Sequence, residues 1–268
     1  LSDPRVGAVT GSKAVDGGAE ALTGGERAYW RYESAIKMAE SRLGCCTGVI
    51  GELFAIRREL VPDFPPDLVN DDFFMAMQVA RTGRKVAYAP AATSWEPTAP
   101  SAADDAVRRR RMSAGRWQSL ARWQDTVPLE RPMVVWQVAS HKYLRLVLPF
   151  TMAGALAANA ADVATGIGRP GQGLTRTALA AQLAFYGLAA IGPAAPGPRP
   201  VRKAAAAARY LVRSNLASAE GLVQYLQQRD SLHLWERVDR LPVPDPSVPD
   251  PTAAAPQAPS AALTEENA

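Results

Sequence analysis

The sequence is poor in the residues that build disulfides and metal centres. It holds two cysteines, and they are neighbours, Cys45 and Cys46. Adjacent cysteines rarely bond to each other, so the pair reads as structural and nothing demands an oxidising compartment. With His141 and His233 as the only histidines, a Cys/His zinc site does not fit either. The opening, LSDPRVGAVTG, has neither a basic start nor an apolar core, so it lacks the pattern of a secretory signal. A large excess of one charge is also missing. Lys and Arg number 30 against 26 Asp and Glu, a formal +4. The basic residues sit in local groups (Arg108 to Arg111, Arg199 to Lys203), which is not the diffuse coat of a nucleic-acid partner.

What is present divides by composition. The 268 residues suffice for one sizeable core, or one domain with appendages. Residues 1–140 read as a soluble α/β unit. RVGAVTGS predicts a buried strand ending at glycine, and GERAYWRYESAIKMAESRLG an amphipathic helix stopped by Gly44. GVIGELFAIRREL predicts a glycine-rich turn entering an apolar strand. A helix then runs to Thr82, followed by a strand over KVAYAP and a separate short strand near TSWEP. A basic helix is expected from about Ala103 to Trp123.

From Tyr143 the character changes. Residues 141–230 read as membrane-associated helices, with spans at about 143–164 and 177–198. Lys142, Arg145, Arg199, Arg202 and Lys203 flank this hairpin, while its loop holds only Arg169 and Arg176. That asymmetry places the soluble part on the cytoplasmic side of a cell membrane, with Trp117, Trp123 and Trp136 as interfacial anchors. The alternative is a pair of buried helices in a soluble domain. A third helix, AAAAARYLVRSNLASAEGLVQYLQ, carries Arg209, Arg213 and Glu220 and reads as amphipathic or interfacial. Residues 241–268 are rich in Pro, Ala and Asp and are expected to be disordered.

Three segments hold residues suited to chemistry. Asp71 and Asp72 precede an apolar helix, where carboxylates offset the helix dipole and cap its amides. A carboxylate at such a junction can equally point into a cleft and take a proton from a hydroxyl. Both explanations stay open at this point. In RRRRMSAGRWQ, only Arg108 and Arg111, three residues apart, share a helix face. They can clamp a diphosphate, or simply belong to a basic face beside anionic lipid. Gly48 and Gly51 in CCTGVIGELFAIRR allow a ligand close to the backbone, with Glu52 beside them.

In order, DPRVGAVTG, GERAYWRYESAIKMAESRLG, GVIGELFAIRREL, NDDF, RKVAYAPAATSWE and RRRRMSAGRWQSL resemble membrane-bound family 2 glycosyltransferases, the group of cellulose and hyaluronan synthases. The resemblance covers residues 3–150 and implies the second half of a Rossmann-like nucleotide-sugar transferase (GT-A) domain followed by a membrane hairpin. It implies inverting sugar transfer from a nucleotide-sugar donor to a polysaccharide or glycolipid acceptor at the inner membrane. Asp72 matches the general base and Asp71 its acidic neighbour. Gly51 and Glu52 match the acceptor-side turn. Arg108 to Met112 match the QxxRW motif, with Arg111 retained, Gln replaced by Arg108 and Trp by Met112, which weighs against processive synthesis. The resemblance also implies a divalent metal, Mg or Mn, for the complete enzyme, but no DxD motif precedes residue 16. The expectation is an enzyme lacking its donor-binding half and inactive alone. A non-catalytic membrane subunit that keeps the fold is the alternative.

Overall fold

The computed structural model describes residues 1–16, 24–63, 65–97, 102–166 and 171–227. The segment 241–268, expected to be disordered, lies outside them, as does Arg169.

A three-stranded sheet, ordered β2-β1-β3, forms the centre of the α/β part. Strand β1 (Val6–Asp16) pairs antiparallel with β2 (Phe54–Ile56) and parallel with β3 (Lys85–Pro97). A parallel neighbour requires a crossover, and helices α1 (Gly24–Leu43) and α2 (Asp71–Arg81) lie on that connection. Helix α1 stops at Gly44, whose φ of +112° closes the helix in a conformation that favours glycine. The chain then runs Cys45 and Cys46 against β3, where the Cys46 amide donates to the Val86 carbonyl over 2.8 Å. Both thiols are buried, and burial pushes each up to about 12, as inert structural cysteines require.

Helix α2 buries Phe73, Ala76, Met77 and Ala80, the i, i+3, i+4, i+7 stripe of an amphipathic helix. These residues share one core with Ala8, Val86 and Tyr88 of the sheet.

KVAYAP and TSWEP, expected as two strands, are one. Gly11 pairs with Ala89, and the next residue, Ser12, pairs with Thr93, so Pro90 to Ala92 bulge out of the ladder. Proline lacks the amide that a ladder needs, which fits it to a bulge. The Ser12 hydroxyl ties the excursion down by bonding the Pro90 carbonyl at 3.1 Å and lying 3.0 Å from the Thr93 hydroxyl.

Helix α3 (Ala102–Ala121) is followed by a short turn of helix, α4 (Trp123–Thr126). Helix α5 (Pro132–Val138) continues through a π-type turn, Ala139–Tyr143, into α6 (Leu144–Thr165). Helix α7 (Gln172–Ile191) overlaps the span expected at about 177–198 and ends where Gly192 turns the chain at φ +62°. The segments Pro132–Thr165 and Gln172–Ile191 are long and apolar enough to cross a membrane. Only 6% of the most apolar window of each is buried, whereas a core helix of a soluble domain would be mostly covered.

Helix α8 (Arg199–Gln227) packs along α3 and against α7. At Gly221 the two helices lie close, since a Cβ there would stand 2.5 Å from Ser113 Cβ. Trp117, expected at a lipid interface, is half-buried where α3, α6 and α8 meet. Its Nε1 donates to the Ser218 carbonyl at 3.1 Å and its ring meets Phe150 edge-on at 6.2 Å. Trp123 and Trp136 are 44% and 63% exposed.

Candidate active site

Asp72 lies in the first turn of α2, half-buried, and its two oxygens have different surroundings. Oδ1 accepts the Phe73 amide at 2.6 Å. Oδ2 faces Gly51, where a Cβ would stand 3.7 Å away. The Asp72 amide donates to Asp71 Oδ1 at 2.9 Å. Asn70, the residue ahead of the helix, makes no side-chain cap and instead donates Nδ2 to the Met112 carbonyl at 3.2 Å. One oxygen of Asp72 thus satisfies a first-turn amide while the other lies toward the Gly51 turn. Burial pushes the Asp72 carboxyl above its ordinary value, against the pull of the Lys142 ammonium and the Phe73 amide; Asp71 and Glu52 add to the rise. A carboxylate raised in this way is a stronger proton acceptor at neutral pH.

The turn opposite, Gly51–Leu53, is fastened to β1 through Thr10. The Thr10 hydroxyl accepts the Ile50 amide at 3.1 Å and reaches the Leu53 carbonyl at 3.4 Å. Glu52 pairs with Lys13 of β1 at 3.3 Å. Burial works against its ionisation, but its own amide, Lys13 and Arg108 together hold the carboxyl below the ordinary value. The structure therefore gathers Asp72, Gly51, Glu52 and Arg108, with Asp71 at the margin. Arg111 lies one turn on along α3 from Arg108. The arginines between them turn to α8. The Arg109 guanidinium lies 5.3 Å over the Tyr210 ring, and Arg110 lies 3.2 Å from Glu220. The run is divided between site and helix packing, as its spread around a helix requires.

Sequence reasoning missed the polar cluster behind Asp72. Glu33, Lys37 and Glu40 occupy one buried stripe of α1. His141 in the π-type turn faces Glu40 through Nδ1 at 2.8 Å and Glu33 through Nε2 at 3.0 Å. Arg145 reaches Glu33 at 3.1 Å, and the Thr47 amide donates to Glu40 at 2.8 Å. Lys142 follows His141, with its Nζ 4.3 Å from the centre of the Phe73 ring. The available signal was the polar i, i+4, i+7 stripe in α1 and the basic SHKYLR leading into α6.

Among the described residues no three His, Cys, Asp or Glu side chains are grouped to hold a metal ion.

An α/β fold with a carboxylate at a helix mouth, set against a glycine turn, fits the glycosyltransferase class. The family model described as glycosyl transferase family group 2 matches residues 1–190. The chain belongs to that family. No curated protein matches the sequence.

Proposed function

We propose that the protein serves the inverting transfer of a sugar from a nucleotide-sugar donor to a carbohydrate or lipid-linked acceptor, and that it carries the acceptor side of the site. The acceptor hydroxyl enters beside Gly51 and gives its proton to Asp72 Oδ2. Its oxygen then attacks the anomeric carbon while the nucleoside diphosphate leaves from the opposite face. Asp71 supports the base through its bond to the Asp72 amide. Glu52, Arg108 and Arg111 line the substrate side, where arginine suits bidentate contact with phosphate.

One observation carries this reading: the placement of Asp72 Oδ2 at Gly51, on the far side from the oxygen that caps α2. The two long apolar helices support attachment to a membrane. Their flanking Lys142, Arg145, Arg199, Arg202 and Lys203 support a cytoplasmic site at the inner membrane.

The test is Asp72→Asn, read as the rate of sugar transfer. Loss of a general base lowers the transfer rate by roughly 10²–10⁴. A rate within about threefold of the parent rejects the assignment.

A further inference from the structure

Helix α8 carries an apolar stripe that none of the described residues covers. Its inner side is accounted for, since Ser218 and Gly221 are buried against Trp117 and Ser113 of α3. On the opposite side Val212, Leu216, Ala219, Val223 and Leu226 follow at spacings of four, three, four and three residues, which lines them along one helix face. Leu216, Val223 and Leu226 are each more than half exposed. A continuous exposed apolar row of this kind marks an interaction surface.

Position and charge both identify the partner as lipid. Helix α8 follows directly on α7, one of the two helices long and apolar enough to cross a membrane, and packs against it. Arg209 lies against Gly192, the turn that ends α7. Trp117, which holds the Ser218 carbonyl, also meets Phe150 in the second turn of α6. The stripe therefore runs level with the ends of both apolar helices. Charge is one-sided as well. The helix holds five basic residues and one acidic residue, Glu220, which Arg110 engages at 3.2 Å. Arg202, Arg209 and Arg213, spaced by seven and four residues, form one flank of the stripe. Arg202 and Arg213 are exposed, and neither has a hydrogen bond or ion pair among the described residues.

A second copy of the helix suits this face less well. A coiled-coil seam carries charges along both flanks and runs for at least three heptads. Here the other flank is uncharged (Leu211, Asn215, Leu222), which widens the apolar arc. A broad apolar arc bordered by cations is the pattern of a helix lying in the plane of a membrane surface.

We propose that α8 is a lipid-surface helix: its Val212 to Leu226 stripe enters the interfacial layer of the bilayer, and Arg202, Arg209 and Arg213 take the phosphates of anionic lipids. Arg109 and Arg110 fasten α8 to α3 through Tyr210 and Glu220, so this contact also fixes the height of α3 above the membrane. The inference rests on the membrane attachment proposed above and not on the chemistry assigned to Asp72.

The experiment uses the full chain in nanodiscs of equal parts phosphatidylcholine and phosphatidylglycerol. Cys45 and Cys46 are buried, so a bimane label attaches selectively at Leu216→Cys or Val223→Cys, with Leu183→Cys on the exposed side of α7 as reference. Each label is challenged with lipid bearing a doxyl quencher on its chain and with iodide in the water. Both α8 labels are expected to behave as the reference does, quenched by the lipid and protected from iodide. Quenching by iodide overturns the proposal. Protection from both quenchers overturns it too, because it marks a protein cover such as a second copy. A reference label that escapes the lipid quencher shows instead that the membrane attachment fails, and the proposal falls with it. Each α8 label is read alone, so one variant that does not fold leaves the other. The doxyl chain is then carried on phosphatidylglycerol or on phosphatidylcholine. Phosphatidylglycerol is expected to quench more strongly, and Arg202→Gln and Arg213→Gln each to lower that preference by up to about fivefold. Equal quenching by the two lipids in the parent overturns the role given to the arginines.

Discussion

His141 donates from Nδ1 to Glu40 Oε1 across 2.8 Å, joining the turn that leads into α6 to the buried face of α1. The opposite ring nitrogen holds Glu33, so one imidazolium clamps two turns of the same helix. Removing it leaves two buried carboxylates short of a partner, and breaking a buried pair in this way costs about 3–5 kcal/mol. His141→Ala is therefore expected to lower the thermal unfolding midpoint markedly. Scanning calorimetry in micelles checks this, and an unchanged midpoint would show that the clamp is not structural.

Glu33 gives the cluster an acid limit. Burial opposes its ionisation, but His141 and Arg145 outweigh burial and hold its carboxyl well below the ordinary range. A carboxylate depressed in the folded state stabilises the protein above its unfolded value, about 4.3, and that contribution is lost as pH falls toward the folded value. Unfolding midpoints measured between pH 7 and pH 3 should fall steeply below about pH 4.3. Glu33→Gln should flatten that fall and lower stability at neutral pH.

Asp72 behaves in the opposite sense. Its folded carboxyl is raised, chiefly by burial, so ionisation disfavours the folded state, and stability declines as pH rises above the unfolded value of about 3.9. Asp72→Asn keeps an oxygen for the Phe73 amide and removes the buried charge. It should raise the unfolding midpoint at pH 7, with the gain vanishing below about pH 3.9. A variant both less active and more stable is the signature of a functional residue held at a cost to the fold. A midpoint below the parent's at pH 7 would refute this account.

Gly221 sets the distance between α8 and α3. A Cβ there would also stand 2.8 Å from the Ala114 amide nitrogen, which is backbone and cannot swing aside. Gly221→Ala is expected to cost about 1–3 kcal/mol by overpacking. Trp117 reports it, since its Nε1 bond to the Ser218 carbonyl lengthens as the helices part. A red shift of its emission with an earlier unfolding midpoint is expected; unchanged values of both would show that the contact is soft.

Local signals in the sequence carried the α/β part. The stripe of Phe73, Ala76, Met77 and Ala80 marks α2, and glycines at 44 and 83 stop α1 and α2 with φ of +112° and +81°. Non-local features were not legible. Pro90 reads as a strand break, and only the pairing with β1 shows it to be a bulge within one strand. The ends of α7 are hidden by uniform Ala-rich hydropathy, so Gly192 decides what composition did not. The acidic pair at 71–72 and the turn at 51–52 were readable as separate segments, and folding sets them together. His141 meets Glu40 and Glu33 across 101 and 108 residues of chain, a relation that no spacing rule expresses.

The slip in β3 has a mechanical meaning. Pro90 to Ala92 stand outside the ladder, between two runs of residues that pair with β1. On the near side Val86 and Tyr88 point into the core; on the far side Trp95 is 68% exposed. The strand is therefore two paired rods joined by a link that the Ser12 hydroxyl of the neighbouring strand fastens in place.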